Sequence, residues 1–206
     1  MAYLLSVSSS NRTHGDRKVS WRVFIAVPLA SGVRRNVARW ESAVRLQERG
    51  WRVVRQENLH LTLRFLGERS PERVDEIRAV LRPELRCISP LSVRVEGWGV
   101  FPNPSRPRVL WAGIRGEGEG LTALAERVDS GLAGMDEPPR DRPFRAHLTL
   151  GRARNHRTEL PGRPSSSDPF FGDSAIDDVL LIRSHLSASG PRYEVVDHFH
   201  LGLADD

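Results

Sequence analysis

The sequence has very little cysteine, very little lysine and no long apolar run. Its 206 residues include one cysteine, Cys87, so an internal disulfide is excluded, which agrees with a reducing compartment. No apolar stretch approaches the roughly 20 residues needed to cross a bilayer. Residues 1–20 lack both a basic start and a long apolar stretch, which argues against a secretory signal and favours a flexible extension. We therefore expect a cytoplasmic protein without membrane contact.

The positive charge of the chain is almost entirely arginine. Lys18 is the only lysine, and the formal net charge is +5. A basic protein attracts polyanions, of which nucleic acid is the common one. The same arginine bias also arises in GC-rich genomes, so charge alone leaves nucleic-acid binding open.

Strands and helices are predicted to mix along the whole chain. Hydrophobic residues make up 39% of the sequence, enough for a buried core. Alternating or β-branched runs predict strands at 21–27, 51–54, 58–66, 91–95, 109–114, 146–150, 179–186 and 193–201. Helical periodicity predicts helices over 31–49, from Ser70 and Pro71 to Leu81, and over 121–132. Pro- and Gly-rich composition predicts loops at 98–107 and 155–170, the latter long and exposed.

The order of these elements favours an α+β or α/β fold with two similar lobes. Connections are short in each half, and no composition change marks a linker between the halves. We therefore expect residues 21–206 to form a single bilobal domain.

One tetrapeptide, His-Leu-Thr-Leu, starts at His60 and again at His147. Both copies lie in predicted strands, where successive side chains point to opposite faces. His60 and Thr62 therefore share one face while the leucines anchor the other, and the same holds for His147 and Thr149. If the halves are pseudo-symmetric, both histidines line one cleft.

Two histidines and two hydroxyls suit the hydrolysis of a phosphodiester. One group must remove a proton from water and another must protonate the leaving oxygen. Imidazoles, with an ordinary pKa of about 6.5, can hold opposite protonation states near neutral pH. Thr62 and Thr149 can donate hydrogen bonds to phosphate oxygens, and Arg152 adds positive charge beyond Thr149. A strand duplicated for packing is the alternative, but packing does not require an imidazole twice.

These residues resemble the two-histidine phosphoesterase superfamily, and within it the LigT-like RNA 2',3'-cyclic phosphodiesterases of bacteria and archaea. The similar segments are RVFIAVP (22–28), ENLHLTLRFLG (57–67), VLWAGI (109–114), FRAHLTLGR (144–152) and LIRSHLSASGPRY (181–193). Together they extend from about Trp21 to near the C-terminus. The N-terminal segment and the Arg-, Pro- and Ser-rich loop at 155–170 depart from the family pattern.

The resemblance implies a bilobal, pseudo-symmetric α+β fold, with two antiparallel sheets and flanking helices around a V-shaped cleft. It implies that His60 and His147 are catalytic and that Thr62 and Thr149 hold phosphate. The implied reaction opens a terminal 2',3'-cyclic phosphate to a 2'-phosphate without metal or cofactor. The resemblance suggests His60 as acid and His147 as base, which the sequence alone does not assign. RNA ends or cyclic nucleotides are then the expected substrates, and we expect a monomer.

Two other functions remain open at this point. A non-catalytic module that binds RNA ends or nucleotides would keep a basic cleft without needing both histidines. An enzyme with the same two histidines could instead act on small cyclic nucleotides rather than on RNA. The second histidine separates the first alternative from catalysis, because acid–base turnover needs two titrating groups and binding needs only donors.

Other candidate residues are interpreted as structural. His198 and His200 share a strand face, but no Cys cluster or HExxH string accompanies them, so no metal site is expected. We interpret His156 and His185 as surface or hydrogen-bonded core residues. Cys87, near a predicted helix end, is interpreted as a buried structural thiol.

Glycines and aromatic residues give two weaker signals. The alternating glycines at 116, 118 and 120 predict a turn rather than a phosphate loop, because the intervening glutamates would repel phosphate. The rings of Phe24, Trp98, Phe101 and Trp111 are suited to stacking on bases, although most aromatic residues belong to a core.

Overall fold

The computed structural model describes residues 19–116, 118–140, 142–161, 168–187 and 190–202. Within these residues, every strand pairs with its neighbours in the antiparallel direction. The strands are β1 (Trp21–Pro28), β2 (Trp51–Val53), β3 (His60–Arg69), β4 (Leu91–Phe101), β5 (Val109–Gly116), β6 (His147–Ala153), β7 (Phe170–Ile176), β8 (Asp178–His185) and β9 (Arg192–His200). The α-helices are α1 (Ser31–Ala43), α2 (Pro71–Arg86) and α3 (Gly118–Ala133), and a 3₁₀ turn covers Gln56–Asn58. The α+β class is confirmed.

The strands form two sheets, and each sheet contains strands from both halves of the chain. The first sheet has the order β3-β1-β8-β9 and the second has the order β2-β6-β5-β4-β7. Strand β2, which lies between β1 and β3 in sequence, pairs with β6 in the second sheet. Helix α1 packs on β7 of the second sheet, while α3 contacts β3 of the first. One cluster of buried apolar side chains runs through both sheets and all three helices.

The predicted pseudo-symmetry is visible in the strands that carry the repeated motif. In the first half, β1 leads into α1, and β3 returns beside β1 in the antiparallel direction. In the second half, β5 leads into α3, and β6 returns beside β5. Each returning strand opens with its histidine. The two motifs therefore occupy equivalent places in the two sheets.

Helix α1 is shorter than its periodicity predicts. It ends at Ala43 instead of residue 49. Arg45 has a positive φ of 51°, a left-handed conformation that ends helices, and the Leu46 N–H bonds back to the Glu41 carbonyl. Val44 and Leu46 reach the core from this turn, which is why they continued the apolar pattern past the helix end.

Helix α2 begins where the sequence predicts. Ser70 is the N-cap, and its hydroxyl accepts a hydrogen bond from the Arg73 N–H at 3.3 Å. Pro71 occupies the first turn, where a missing N–H costs nothing. At the other end, Cys87 is the C-cap and is exposed, so its interpretation as a buried thiol was wrong. Its side chain faces solvent because the apolar stripe of the helix ends at Leu85.

Two strand regions differ from the sequence prediction. The loop predicted at 98–107 is strand as far as Phe101, because Gly99 makes room within the sheet for the Trp111 ring. Strand β7 was not predicted, since it contains Gly172 and Asp173, which are poor strand formers. It pairs with β4, and the Ser174 hydroxyl accepts a further hydrogen bond from the Ala30 N–H at 2.8 Å.

The loop predicted at 155–170 is exposed at residues 155–157, as predicted, but is anchored at Thr158. Thr158 is buried and donates to the Gly50 carbonyl at 3.0 Å, and the Trp51 indole donates to the Glu159 carbonyl at 2.7 Å. Thr158 and Glu159 therefore anchor the loop against the start of β2. Residues 162–167 lie outside the described part of the chain, as do residues 1–18 of the predicted extension. Within the described part, no helix is long and apolar enough to span a membrane.

Candidate active site

His60 and His147 each open a strand and are fixed by the same kind of backbone contact. His60 Nδ1 lies 2.7 Å from the Asn58 carbonyl oxygen, and His147 Nδ1 lies 2.7 Å from the Arg145 carbonyl oxygen. A carbonyl oxygen can only accept, so Nδ1 is the donor in both rings. Nε2 is then the nitrogen left to exchange protons, with a lone pair in the neutral ring and an N–H in the cation.

Thr62 and Thr149 lie on the same strand faces as the histidines. His60 Nε2 is 3.1 Å from Thr62 Oγ1. The four motif leucines point the other way and are at most 1% exposed: Leu61, Leu63, Leu148 and Leu150. The predicted alternation is thus confirmed in both motifs. Each sheet presents one imidazole and one hydroxyl on the face opposite the core.

Arg152 reaches that same face through a β-bulge. It follows Thr149 by three residues, a spacing that would put it on the opposite face of a regular strand. In β6, however, Leu150 is an extra residue without a partner on β5, between the paired Thr149 and Gly151. The extra residue changes the alternation. Leu150 therefore stays in the core, and Arg152 is exposed on the side of Thr149.

Two aromatic rings enclose His60. The Phe24 ring lies 4.9 Å from the imidazole, and the Tyr193 ring meets it edge-on at 5.3 Å. Burial lowers the pKa of His60 because the charged ring loses solvation, while the hydrogen bond to the Asn58 carbonyl raises that pKa. The net lowering favours the neutral imidazole in the empty protein.

The surroundings of His147 are built by two rings of the second sheet. Phe101 meets the imidazole edge-on at 5.4 Å and is stacked on Trp111 at 5.2 Å. Gly99 makes room for the indole, because a Cβ there would lie 2.2 Å from Trp111 Cζ2. Trp98, by contrast, packs against the main core. Of the four rings suited to stacking, those of Phe24, Phe101 and Trp111 flank the motifs.

The first sheet curls until its two edge strands meet. Strands β1 and β8 separate β3 from β9. Even so, the Asn58 side-chain amide donates to the Pro191 carbonyl at 3.1 Å, and Tyr193 contacts His60. Curling therefore brings the start of β9 over the start of β3.

Tyr193 is a neighbour of His60 that sequence reasoning did not single out. Burial raises the pKa of the Tyr193 hydroxyl, and the positive charges of Arg152 and Arg22 oppose that rise. Tyr193 lies beside His60 at the start of β3, and β3 contacts β6 of the second sheet. The signals for Tyr193 were its position at the start of a predicted strand and its place at the end of the family-like segment 181–193.

The other histidines singled out in the sequence, where they are paired, have partners outside the two motifs. The parallel rings of His198 and His200 share a face, as predicted, and His200 pairs with Asp178. His185 bonds to Glu194 at 2.5 Å, and His156 is exposed. Among the described residues, no group of three or more His, Cys, Asp or Glu side chains is arranged to hold a metal ion.

The glycines singled out in the sequence form a turn followed by a helix start. Gly116 ends β5 with a positive φ of 85°, which agrees with the predicted turn. Gly118 and Gly120 instead lie in the first turn of α3. That part of the prediction was wrong, because the helix begins at Gly118, three residues before the apolar pattern that starts at Leu121.

Comparison with known proteins gives consistent matches. The family described as LigT like Phosphoesterase matches residues 27–111. The RNA 2',3'-cyclic phosphodiesterase of Archaeoglobus fulgidus is 38% identical over 178 residues, covering 84% of this chain and 96% of that protein. The RNA 2',3'-cyclic phosphodiesterase of Thermus thermophilus is 36% identical over 187 residues, covering 87% of this chain and 90% of that protein.

Solved structures share the architecture. TT0787 of Thermus thermophilus superposes with a TM-score of 0.75 at 34% identity, covering 88% of this chain and 98% of that one. E. coli LigT complexed with 3'-AMP superposes with a TM-score of 0.75 at 26% identity, covering 89% and 99% of the two chains. The matched fold, the paired motifs and the identity over most of the sequence lead to one assignment. This chain belongs to the LigT-like phosphoesterase family.

Proposed function

We propose that this protein hydrolyses the terminal 2',3'-cyclic phosphate of RNA to a 2'-phosphate, with His60 and His147 as the acid–base pair. The observation that carries the proposal is the matched arrangement of the two rings, each with Nδ1 held by a carbonyl and Nε2 left for proton exchange. The names of the relatives from Archaeoglobus fulgidus and Thermus thermophilus, RNA 2',3'-cyclic phosphodiesterase, support the same substrate.

The proposed reaction is a single displacement at phosphorus. His147 Nε2 takes a proton from water as the water oxygen forms its bond to phosphorus. The bond between phosphorus and the 3' oxygen breaks, and His60 Nε2 gives its proton to that departing oxygen. The product carries a 2'-phosphate and a free 3'-hydroxyl. Both imidazoles then return to their starting states by proton exchange with solvent.

The threonines and Arg152 hold the charge of the reacting phosphate in this proposal. Thr62 and Thr149 donate hydroxyl hydrogens to its non-bridging oxygens, where negative charge increases in the transition state. Arg152, on the same face as Thr149, supplies a positive charge and a planar set of donors suited to phosphate. These donors come from both sheets, so a bound phosphate bridges them.

The environment of His60 bears on its role as the acid. Burial lowers its pKa, which works against a protonated ring in the empty protein. An anionic phosphate beside the ring favours the cation and raises the pKa again. The Asn58 carbonyl acts in the same direction, since it accepts the Nδ1–H. Substrate binding is thereby coupled to protonation of the acid.

The proposal also covers the setting of the enzyme. Its substrates are RNA ends or 2',3'-cyclic nucleotides, and it works as a cytoplasmic monomer. Residues 21–206 form the single catalytic domain. No cofactor and no metal take part.

The direct test is an assay with an oligoribonucleotide ending in a 2',3'-cyclic phosphate, in excess EDTA. We expect turnover to survive chelation and the product to be the 2'-phosphate. Adding Mg²⁺, Mn²⁺ or Zn²⁺ should not be required. Strict dependence on an added metal would overturn the two-histidine mechanism. Tight binding of the oligonucleotide without turnover would support the binding module instead.

A further inference from the structure

Arg52 and Arg152 are direct cross-strand neighbours on β2 and β6. Trp51 and Val53, on either side of Arg52, pack into the main core, so the Arg52 side chain points to the opposite face. Opposed residues on antiparallel strands share a face and place their Cβ atoms about 4.5–5.5 Å apart. Two exposed guanidinium groups are therefore adjacent on the face that also carries Thr149.

Carboxylates do not neutralise this pair. Several other arginines have acidic partners, such as Arg69 with Glu137 and Arg78 with Asp197. Within the described residues, neither Arg52 nor Arg152 forms an ion pair. Like charges directly opposite each other destabilise a sheet. The pair is therefore unfavourable in the empty protein and becomes favourable when an anion lies between or beside the two groups.

The two arginines differ in their distance from the motif along the sheet. Arg152 is on the motif strand itself, and its charge reaches Tyr193 beside His60. Arg52 is one strand farther out, on β2, which is the edge of the second sheet. If Arg152 holds the reacting phosphate, Arg52 faces the next anion along the substrate. In RNA, that anion is the 3',5'-phosphodiester preceding the terminal nucleotide.

We propose that Arg52 binds this 3',5'-phosphodiester, so that the enzyme prefers oligoribonucleotide ends to cyclic mononucleotides, which lack that phosphate. The inference rests on the proposed function and specifies its substrate class. A guanidinium suits the role because its planar fork can donate two parallel hydrogen bonds to phosphate. Thr149, Arg152 and Arg52 then follow the substrate backbone outward from the reacting phosphorus.

The test compares adenosine 2',3'-cyclic phosphate with the dinucleotide ApA ending in a 2',3'-cyclic phosphate. The wild-type protein should have the higher kcat/KM on the dinucleotide. In Arg52→Ala, the ratio of the two kcat/KM values should fall about tenfold, the size of one lost charge-assisted hydrogen bond. The kcat/KM of Arg52→Ala on the dinucleotide should also fall less steeply with added salt than that of wild type, because one screened charge contact is gone. Arg52→Lys should lie between wild type and Arg52→Ala.

Arg39→Ala is the matched control, because it removes an exposed arginine from the solvent side of α1. It should leave the substrate ratio at the wild-type value. Equal losses on both substrates in Arg52→Ala would place Arg52 on the reacting phosphate and overturn the inference. Unchanged kcat/KM on both substrates would overturn it as well. A wild-type protein that hydrolyses neither substrate would instead refute the proposed function. Thermal melting checks that Arg52→Ala is folded, and removing the like-charge contact should not lower its Tm.

Discussion

His60 and His147 are oriented by equivalent contacts, from Nδ1 to the carbonyl oxygen two residues earlier, at 2.7 Å in each case. The rings belong to strands of different sheets, β3 and β6, and the two strands are in contact. Both motifs thus select the tautomer that leaves Nε2 for proton transfer. The two imidazoles are thus held in the same way, and they become one acid and one base when one ring is protonated and the other is neutral.

The threonine hydroxyls should contribute less to catalysis than the imidazoles. Thr62→Ala and Thr149→Ala each remove one hydrogen bond to phosphate, so kcat/KM should fall by roughly 10-fold. Thr62→Ser and Thr149→Ser keep a hydroxyl at the same position and should recover most of the loss. Steady-state kinetics on a cyclic-phosphate oligonucleotide provides the measurement. Serine variants as impaired as the alanine variants would show that the methyl group, not the hydroxyl, matters.

The rate should pass through a maximum with pH. One histidine must be neutral and the other protonated, so the profile of kcat/KM should be bell-shaped, with limbs that belong to the coupled pair. The cyclic phosphate keeps one negative charge throughout the range, so it supplies neither limb. Measurement from about pH 5 to pH 9 covers the ordinary imidazole pKa of about 6.5. A single ascending limb without a fall at high pH would argue against a protonated histidine acid.

Substrate binding should move the basic limb. Burial lowers the pKa of His60 in the empty protein, so its proton is lost at lower pH there. A bound phosphate raises that pKa, so the basic limb of the kcat profile should lie at higher pH than that of kcat/KM. Coincident basic limbs in the two profiles would contradict the assignment of His60 as the phosphate-coupled acid.

Glu41 should make the fold less stable as pH rises. Burial in α1 raises the pKa of this carboxyl from 4.5 to about 8, and one of its oxygens has no hydrogen-bond partner in the described structure. Between those values the folded protein keeps the proton while the unfolded chain releases it. The free energy of unfolding therefore falls with pH, by up to roughly 1.4 kcal/mol per pH unit.

Glu41→Met should remove this dependence. The free energy of unfolding of Glu41→Met, measured with urea, should rise relative to that of wild type between pH 5 and pH 8. Glu126→Met, at an exposed position of α3, is the control and should leave the dependence as in wild type. A difference between Glu41→Met and wild type that stays constant with pH would refute the buried-carboxyl account.

Gly99 should be sensitive to the smallest substitution. A Cβ there would lie 2.2 Å from Trp111 Cζ2, so Gly99→Ala must displace the ring that stacks on Phe101 beside His147. We expect a loss of about 1–3 kcal/mol in stability, as for other overpacked sites, and a lower kcat/KM. Gly134→Ala, which has no neighbour within 4 Å in the described structure, should change neither quantity. Unchanged melting and kinetics in Gly99→Ala would show that Trp111 moves without consequence.

Strand alternation was enough to predict the faces of the repeated motif. His60 and Thr62 point away from the core because Leu61 and Leu63 are buried, as two-residue periodicity requires. The position of Arg152 did not follow from alternation, because it depends on a bulge at Leu150, for which the neighbouring Gly151 is only a weak signal. Local bulges decide which face a residue three positions away will take.

Other parts of the site depend on contacts between distant segments. Tyr193 meets His60 only because the first sheet curls, and curvature is a property of all four strands together. The Ser174 hydroxyl of strand β7 bonds to the backbone of Ala30, from the other half of the chain. Neither contact has a local sequence pattern.

The most direct test of the central claim is turnover by His60→Ala and His147→Ala. Each protein is assayed in excess EDTA with an oligoribonucleotide ending in a 2',3'-cyclic phosphate, alongside wild type and a binding measurement on the same oligonucleotide. The account predicts 2'-phosphate product from wild type, a loss of about 10²–10⁴-fold in kcat for each variant, and RNA binding largely retained by both. Near-wild-type turnover by either variant would contradict the paired mechanism.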